Sequence, residues 1–261
     1  MKKNMFPLIS MLIGIGVVFF GIMDSGGNVM MFISVSSLLI VLGGSLAALA
    51  IIYPLKDIKN LPKILGALTA APNYNLVDLI VLLEDLSQKA RKGGVLSLES
   101  EVSTIEDPFL KKGLQLVIDG SEADEVKQIL TTEIDAIEMR HENNQAMISK
   151  WGALAPGFGM IGTVIGLIIM LGNLSTDPTE LGAGMATALI TTFYGSFFSN
   201  LLFEPVAGNL ALKTADEVLF KNLMMQGVVM IQSGANPRLI KDSLMTYLPP
   251  AERESLMATE E

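Results

Sequence analysis

The chain has 261 residues, half of them apolar and only 17% charged, with a formal net charge of −9 and no cysteine. The missing cysteines exclude a disulfide framework and thiolate metal or redox centres, and the acidic surplus argues against nucleic acid as a partner. The apolar residues are concentrated in blocks, so the chain belongs with polytopic membrane proteins rather than with soluble domains.

The first block, Met5 to Met23, follows Lys2 and Lys3. It has no Ala-x-Ala cleavage site and exceeds the usual apolar core of a signal peptide, so it reads as an uncleaved anchor. The second runs from Val29 to Tyr53, the third from Trp151 to Leu171 and the fourth from Leu181 to Phe203. Each is roughly 19 to 25 residues without Lys, Arg, Asp or Glu, enough for a helix to cross about 30 Å of hydrocarbon. The expected fold class is all-α, with four transmembrane helices and a helical cytoplasmic domain. Residues 1–53 would hold spans one and two, 54–150 the loop domain, 151–204 spans three and four, and 205–261 the C-terminal helices and tail.

Basic residues set the orientation. Lys2 and Lys3 precede span one, eleven more lie from Lys56 to Lys150, and five from Lys213 to Arg253, while the short loops at 24–28 and 172–180 carry none. Short loops rich in Lys and Arg stay inside, so both termini and the large loop are expected in the cytoplasm.

Within that loop, "NLVDLIVLLEDLSQKAR" opens on Asn75 as a cap and sets Leu76, Leu79, Ile80, Leu83 and Leu86 on one face, with Gly93 and Gly94 ending the helix. "DPFLKKGLQLVIDG" has Asp107 as cap, Pro108 at the first helical position and Gly120 as stop. "SEAD" at 121–124 has capping-box spacing and launches a polar helix that continues into span three. After Pro205 a further helix is expected, then a stop at "GANP" (234–237), a short amphipathic stretch and a disordered acidic end.

The third span contains "APGFGMIGTVIGLI" (155–168), four glycines with one hydroxyl, Thr163. In lipid, small residues four apart let helix backbones approach closely. Gly162 with Gly166, Gly44 with Ala48, and Gly182 with Ala186 have that spacing. Such faces hold a bundle together, and several of them also point to an oligomer.

No carboxylate sits at mid-membrane depth; Asp24 and Glu204 lie at span ends. The chain is therefore no ion relay by itself, unless another chain brings the carboxylate. It does have hydroxyls: Thr163 on span three, and Thr187, Thr191, Thr192 and Ser196 on span four. Thr163 lies 13 residues beyond Lys150 and Thr192 lies 12 before Glu204. Both are thus about 18–20 Å from the inner surface, at one depth. Two roles fit these threonines: bonding their own helix carbonyls, or facing a polar route. Pro156 removes a backbone bond to the carbonyl of Gly152, and Pro205 is expected to close span four. His141, the only histidine, falls on the polar helix and reads as solvated surface. The methionines read as filler.

The segments "APGFGMIGTVIGLI" (155–168), "ATALITTFYGSFFSNLLFEP" (186–205), "ARKGGVLSLE" (90–99) and "DPFLKKGLQLVIDG" (107–120) together resemble the MotA/PomA flagellar stator proteins. The resemblance extends over the whole chain. It implies a homo-pentamer ring around a dimer of the single-span MotB/PomB partner, which supplies the aspartate, and a push on the rotor protein FliG. By position it assigns Arg91 and Glu99 to rotor contact, Pro156 and Pro205 to coupling, and Thr163 with Thr191 or Thr192 to the ion route. It implies no enzyme activity and no cofactor beyond the transported cation. Threonine at Thr163 is similar to the sodium-driven branch, so Na+ is favoured, with H+ the alternative. An ExbB/TolQ-type energiser would have three spans rather than four. A small-solute transporter would carry inverted repeats or substrate-binding polar groups, and the sequence has neither.

Overall fold

The computed structural model describes residues 2–71, 74–173 and 181–258. Most of the predicted loop at 172–180 and the last residues of the acidic end lie outside them. Among the described residues, four helices are long and apolar enough to cross a membrane: Phe6–Asp24, Val35–Ile52, Ala123–Asn173 and Leu181–Gln232. The architecture is helical, with one two-residue backbone ladder between Lys2–Lys3 and Ala70–Ala71.

Three boundaries differ from expectation. Span two begins at Val35, because Ser34 caps it by accepting from the Ser37 amide; Val29–Phe32 forms a separate 3-10 turn. Pro205 does not end the helix of span four, which continues to Gln232. A wide π turn at Ser199–Phe203 accommodates the proline: the Glu204 amide reaches back five residues to the Ser199 carbonyl. This relieves the crowding that a proline ring imposes on the carbonyl four residues earlier. The tail is ordered further than expected, as a helix at Pro250–Ala258.

The chain forms two compact units, one from Met1–Pro72 and His141–Leu212, the other from Asn73–Arg140 and Lys213–Glu261. These divisions fall elsewhere than the predicted segments. The helical turns after span two put Leu61, Ile64 and Leu68 into the same core as Val41, Leu49, Met147 and Ile148, so residues just beyond 53 join the membrane unit.

The membrane unit is organised by a seam between spans three and four. A methyl group at Gly159 would stand 2.9 Å from the Thr191 carbonyl oxygen, and one at Gly166 would stand 2.6 Å from that of Gly184. At Gly195 it would meet the Ala155 carbonyl oxygen at 2.8 Å. Backbones this close exclude side chains at the contact and gain dispersion and weak C–H···O contacts instead. The predicted Gly162/Gly166 pair lies in this seam. The predicted Gly182/Ala186 pair does not; both are exposed, and Gly184 with Ala188 packs in their place. Gly44 of span two receives the ring of Phe158, as its small-residue spacing suggested. Aromatic and polar links fasten span two to the seam. Tyr194 Oη donates to the Phe32 carbonyl and accepts from the Ser34 amide at 3.2 Å. Trp151 Nε1 donates to Ser45 Oγ at 2.9 Å, and its ring stacks on Phe203 at 4.3 Å. Span one buries none of its residues in the chain.

The second unit is a conventional leucine-rich core. Asn75 caps the helix Leu76–Gly93 through the amides of Val77 and Asp78, and Gly94 ends it at φ +77°. Asp107 caps Pro108–Ile118 in the same way. The helices bury Leu79, Ile80, Leu83, Leu86, Leu114 and Leu223 together, with Ile240 and Leu244 from the helix Pro237–Leu244. The capping box falls one residue later than predicted. Ser121 closes the preceding helix by donating its amide to Leu116, while Glu125 reaches back to the Glu122 amide at 3.3 Å. His141 is half-buried rather than fully solvated.

The seam predicts an asymmetry between glycines. Gly166→Ala meets backbone on the facing helix and is expected to destabilise by about 1–3 kcal/mol. Gly182→Ala, with open space around it, is expected to be neutral or slightly stabilising. Thermal melting of the detergent-solubilised complex checks this; equal melting temperatures would remove the seam as a stability determinant.

Candidate functional site

The seam brings two of the predicted hydroxyls together. Thr163 Oγ1 and Thr192 Oγ1 are in hydrogen-bond contact. Thr163 Oγ1 also lies 3.0 Å from the Gly159 carbonyl oxygen and 3.1 Å from that of Ala188, which Thr192 Oγ1 approaches at 3.2 Å. Two hydroxyl protons are thus shared among two hydroxyl and two carbonyl oxygens. Such a cluster can rearrange to present several lone pairs toward one side.

Thr191 is placed differently. It is fully buried in the seam, its side chain filling the space opposite Gly162. Its hydroxyl is occupied by the carbonyls of Thr187 and Ala188 at 2.8 and 3.0 Å. Of the adjacent pair, the structure therefore joins Thr192 to Thr163 and leaves Thr191 as a packing residue. The sequence could not separate them, because 100° of helix rotation divides neighbours.

Pro156 lies one turn from this cluster on the third span, exposed, with its Cα against Gly195. The helix continues through it, so its effect is the missing amide and a Gly152 carbonyl without that donor. Pro205 follows the π turn and stands beside Glu204, whose carboxylate receives the Ser149 hydroxyl at 3.1 Å. Neither Ser149 nor Asn200 was marked in the sequence, although Asn200 continues the four-residue spacing of Thr192 and Ser196. Among the described residues, no group of three His, Asp or Glu converges as a metal site.

In the second unit, Arg91 ends its helix and Glu99 opens the single turn Glu99–Val102; both are exposed. Between them Ser97 Oγ donates to the Gly94 carbonyl at 2.6 Å, and the buried Leu98 anchors the link. Lys89 clamps the turn from behind, 2.9 Å from Asp85 and 3.0 Å from Glu101. Hydrogen bonds to Asp85 and Glu101 raise its pKa. Arg91 also borders a cleft of about 330 Å³ with Glu84, Lys92, Asn236 and Arg238. Glu84 there is engaged by Lys241 at 3.5 Å. Glu99 lies outside the cleft lining. The contribution of Arg238 had no signal in the sequence, since it comes from a helix about 150 residues away that only tertiary packing brings near.

Comparison with known proteins matches residues 101–244 to the MotA/TolQ/ExbB proton channel family and residues 8–94 to the motility protein A N-terminal family. Motility protein A of Borreliella burgdorferi is 39% identical over 253 residues, covering 97% of each chain. Chemotaxis protein PomA of Vibrio alginolyticus is 39% identical, covering 87% of this chain and 89% of its own. Among solved structures, the flagellar MotAB stator complex of Bacillus subtilis superposes with a TM-score of 0.86 at 30% identity, over 98% of this chain and 99% of that one. By its two family matches, its near full-length relatives and its shared fold, the chain belongs to the MotA/TolQ/ExbB proton channel family, within the motility protein A group.

Proposed function

We infer that the chain is the torque-generating membrane subunit of a flagellar motor stator, converting cation flow into rotation. The observation that carries the ion route is the Thr163–Thr192 oxygen cluster, at a depth where the chain has no carboxylate of its own. A single-span MotB/PomB-type partner dimer supplies that carboxylate, and solved relatives described as MotAB complexes support such a partner. Five copies of the chain form a ring around it in the bacterial inner membrane, with both termini and the large loop in the cytoplasm. The basic loops favour that orientation.

A cation arriving at the partner carboxylate neutralises it and changes which packing of partner against ring is preferred. Each elementary charge crossing gains roughly 2.3 kcal/mol per 100 mV. Arg91 and Glu99 then transmit the step by charge contact with FliG, and the missing amide at Pro156 gives span three a weakened turn at which to bend. Sodium is the favoured cation, because it must exchange water for oxygen ligands and the cluster offers two hydroxyls, each within 3.2 Å of a backbone carbonyl oxygen.

Three measurements test this. In a strain whose only stator is this one, Thr163→Ala is expected to raise the half-saturating sodium concentration for swimming about tenfold, the effect of one charged-group contact. Wild-type swimming that ignores sodium removal at fixed proton-motive force would transfer the route to protons. Reversing Arg91 and Glu99 together should slow swimming while membrane insertion is normal, with partial recovery from a compensating FliG reversal. Single reversals should act weakly, as exposed charges do. Unimpaired swimming of the double variant excludes the rotor contact. Pro156→Ala should assemble at wild-type levels and deliver little torque on tethered cells; full torque would reduce Pro156 to helix geometry.

A further inference from the structure

Span four carries a line of polar residues that the hydroxyl pair leaves unexplained. Thr192, Ser196 and Asn200 recur at intervals of four and all three are exposed, which puts them on one helix face. Polar side chains along an apolar span are costly unless they meet polar neighbours or water. Asn200 Nδ2 donates to the Ser196 carbonyl of its own helix at 2.9 Å, while its side chain stays exposed. The line descends toward Glu204, 12 residues or about 18 Å below Thr192.

Three features converge at that end. The exposed Glu204 carboxylate lies against span three, with Ser149 Oγ 3.1 Å from one oxygen and 3.3 Å from the other. It fits there because position 152 is glycine; a methyl group would stand 2.9 Å from Oε1. The π turn supplies the third. The Glu204 amide bonds Ser199 and Pro205 has no amide, so the Asn200 carbonyl has no helical donor four or five residues on. A stitch between two spans would account for the Ser149 contact alone. It needs no charge, since an amide would serve, and it needs neither the exposed line nor the freed carbonyl. A carboxylate at the edge of an apolar helix is the more expensive choice.

We propose that Glu204 is a cation acceptor at the inner mouth: an ion leaving the Thr163–Thr192 cluster passes Ser196 and Asn200 and is drawn out by the Glu204 carboxylate. This rests on the route through the hydroxyl pair and holds for Na+ or H+. A negative group at a mouth enriches cations locally.

The test uses the whole stator with its single-span partner as the only stator in the cell, following swimming speed against external cation and membrane abundance by immunoblot. Glu204→Gln keeps an acceptor for Ser149 and removes the charge. It is expected to lower maximal speed about threefold, with abundance and the half-saturating external concentration unchanged. Glu204→Asp should recover most of the speed. Ser149→Ala, which removes the stitch and keeps the charge, should lose less than Glu204→Gln. Full speed in Glu204→Gln, or a loss in Ser149→Ala as large as in Glu204→Gln, overturns the acceptor. A slow Glu204→Gln beside a full-speed Thr192→Ala upholds the acceptor and rejects the hydroxyl route instead.

Discussion

Backbone-to-backbone contact between spans three and four is the constraint on which the membrane unit depends. Lipid tails are as apolar as leucine, so burial gives these helices little reason to associate, and close packing must do it. Gly159, Gly166, Gly184 and Gly195 remove the side chains that would hold the helices apart. The hydroxyl cluster is a by-product of that proximity: at a wider separation Thr163 could not reach both the Ala188 carbonyl and Thr192. Packing and chemistry meet at Gly159 and Ala188, which line the seam and lend their carbonyls to the hydroxyls.

The second unit follows the opposite rule. Its helices are brought together by leucine, isoleucine and valine withdrawn from water, and their ends are set by Asn75, Asp107 and Gly94. The charged residues are thereby left at the surface. Lys89, Asp85 and Glu101 pair among themselves, while Arg91 and Glu99 stand exposed on either side of the Gly94 turn. Charges left exposed in this way are able to meet complementary charges on another surface.

Much of this was legible in the sequence. The four spans, the caps at Asn75 and Asp107, the glycine stops and the depth match of Thr163 and Thr192 follow from local rules of hydropathy, capping and helical rise. What escaped was set by rotation and by contacts distant in sequence. Which of Thr191 and Thr192 turns outward depends on the phase of span four against span three. The Gly182/Ala186 spacing is as good as that of Gly184/Ala188, yet only the latter meets a neighbour. Pro205 read as a terminus because a proline removes a backbone donor and crowds the preceding turn, and the wide turn that relieves this has no sequence signature. Arg238 reaches the Arg91 cleft only through the packing of its helix on the Leu76–Gly93 helix.

The wide turn at Ser199–Phe203 has a consequence for how this helix tolerates change. One extra residue looped into a helix advances the chain with little added rise and offsets every later side chain by about 100°. Phe203, stacked on Trp151, and Glu204, against Ser149, face span three on that offset setting. The turn is therefore an adjustable dial between two fixed readings, the glycine contacts before it and the aromatic stack after it. Deleting one residue there would remove the extra residue and its offset together, so the lower half would keep its face toward span three, while Pro205 would lose the room that the wide turn gives its ring.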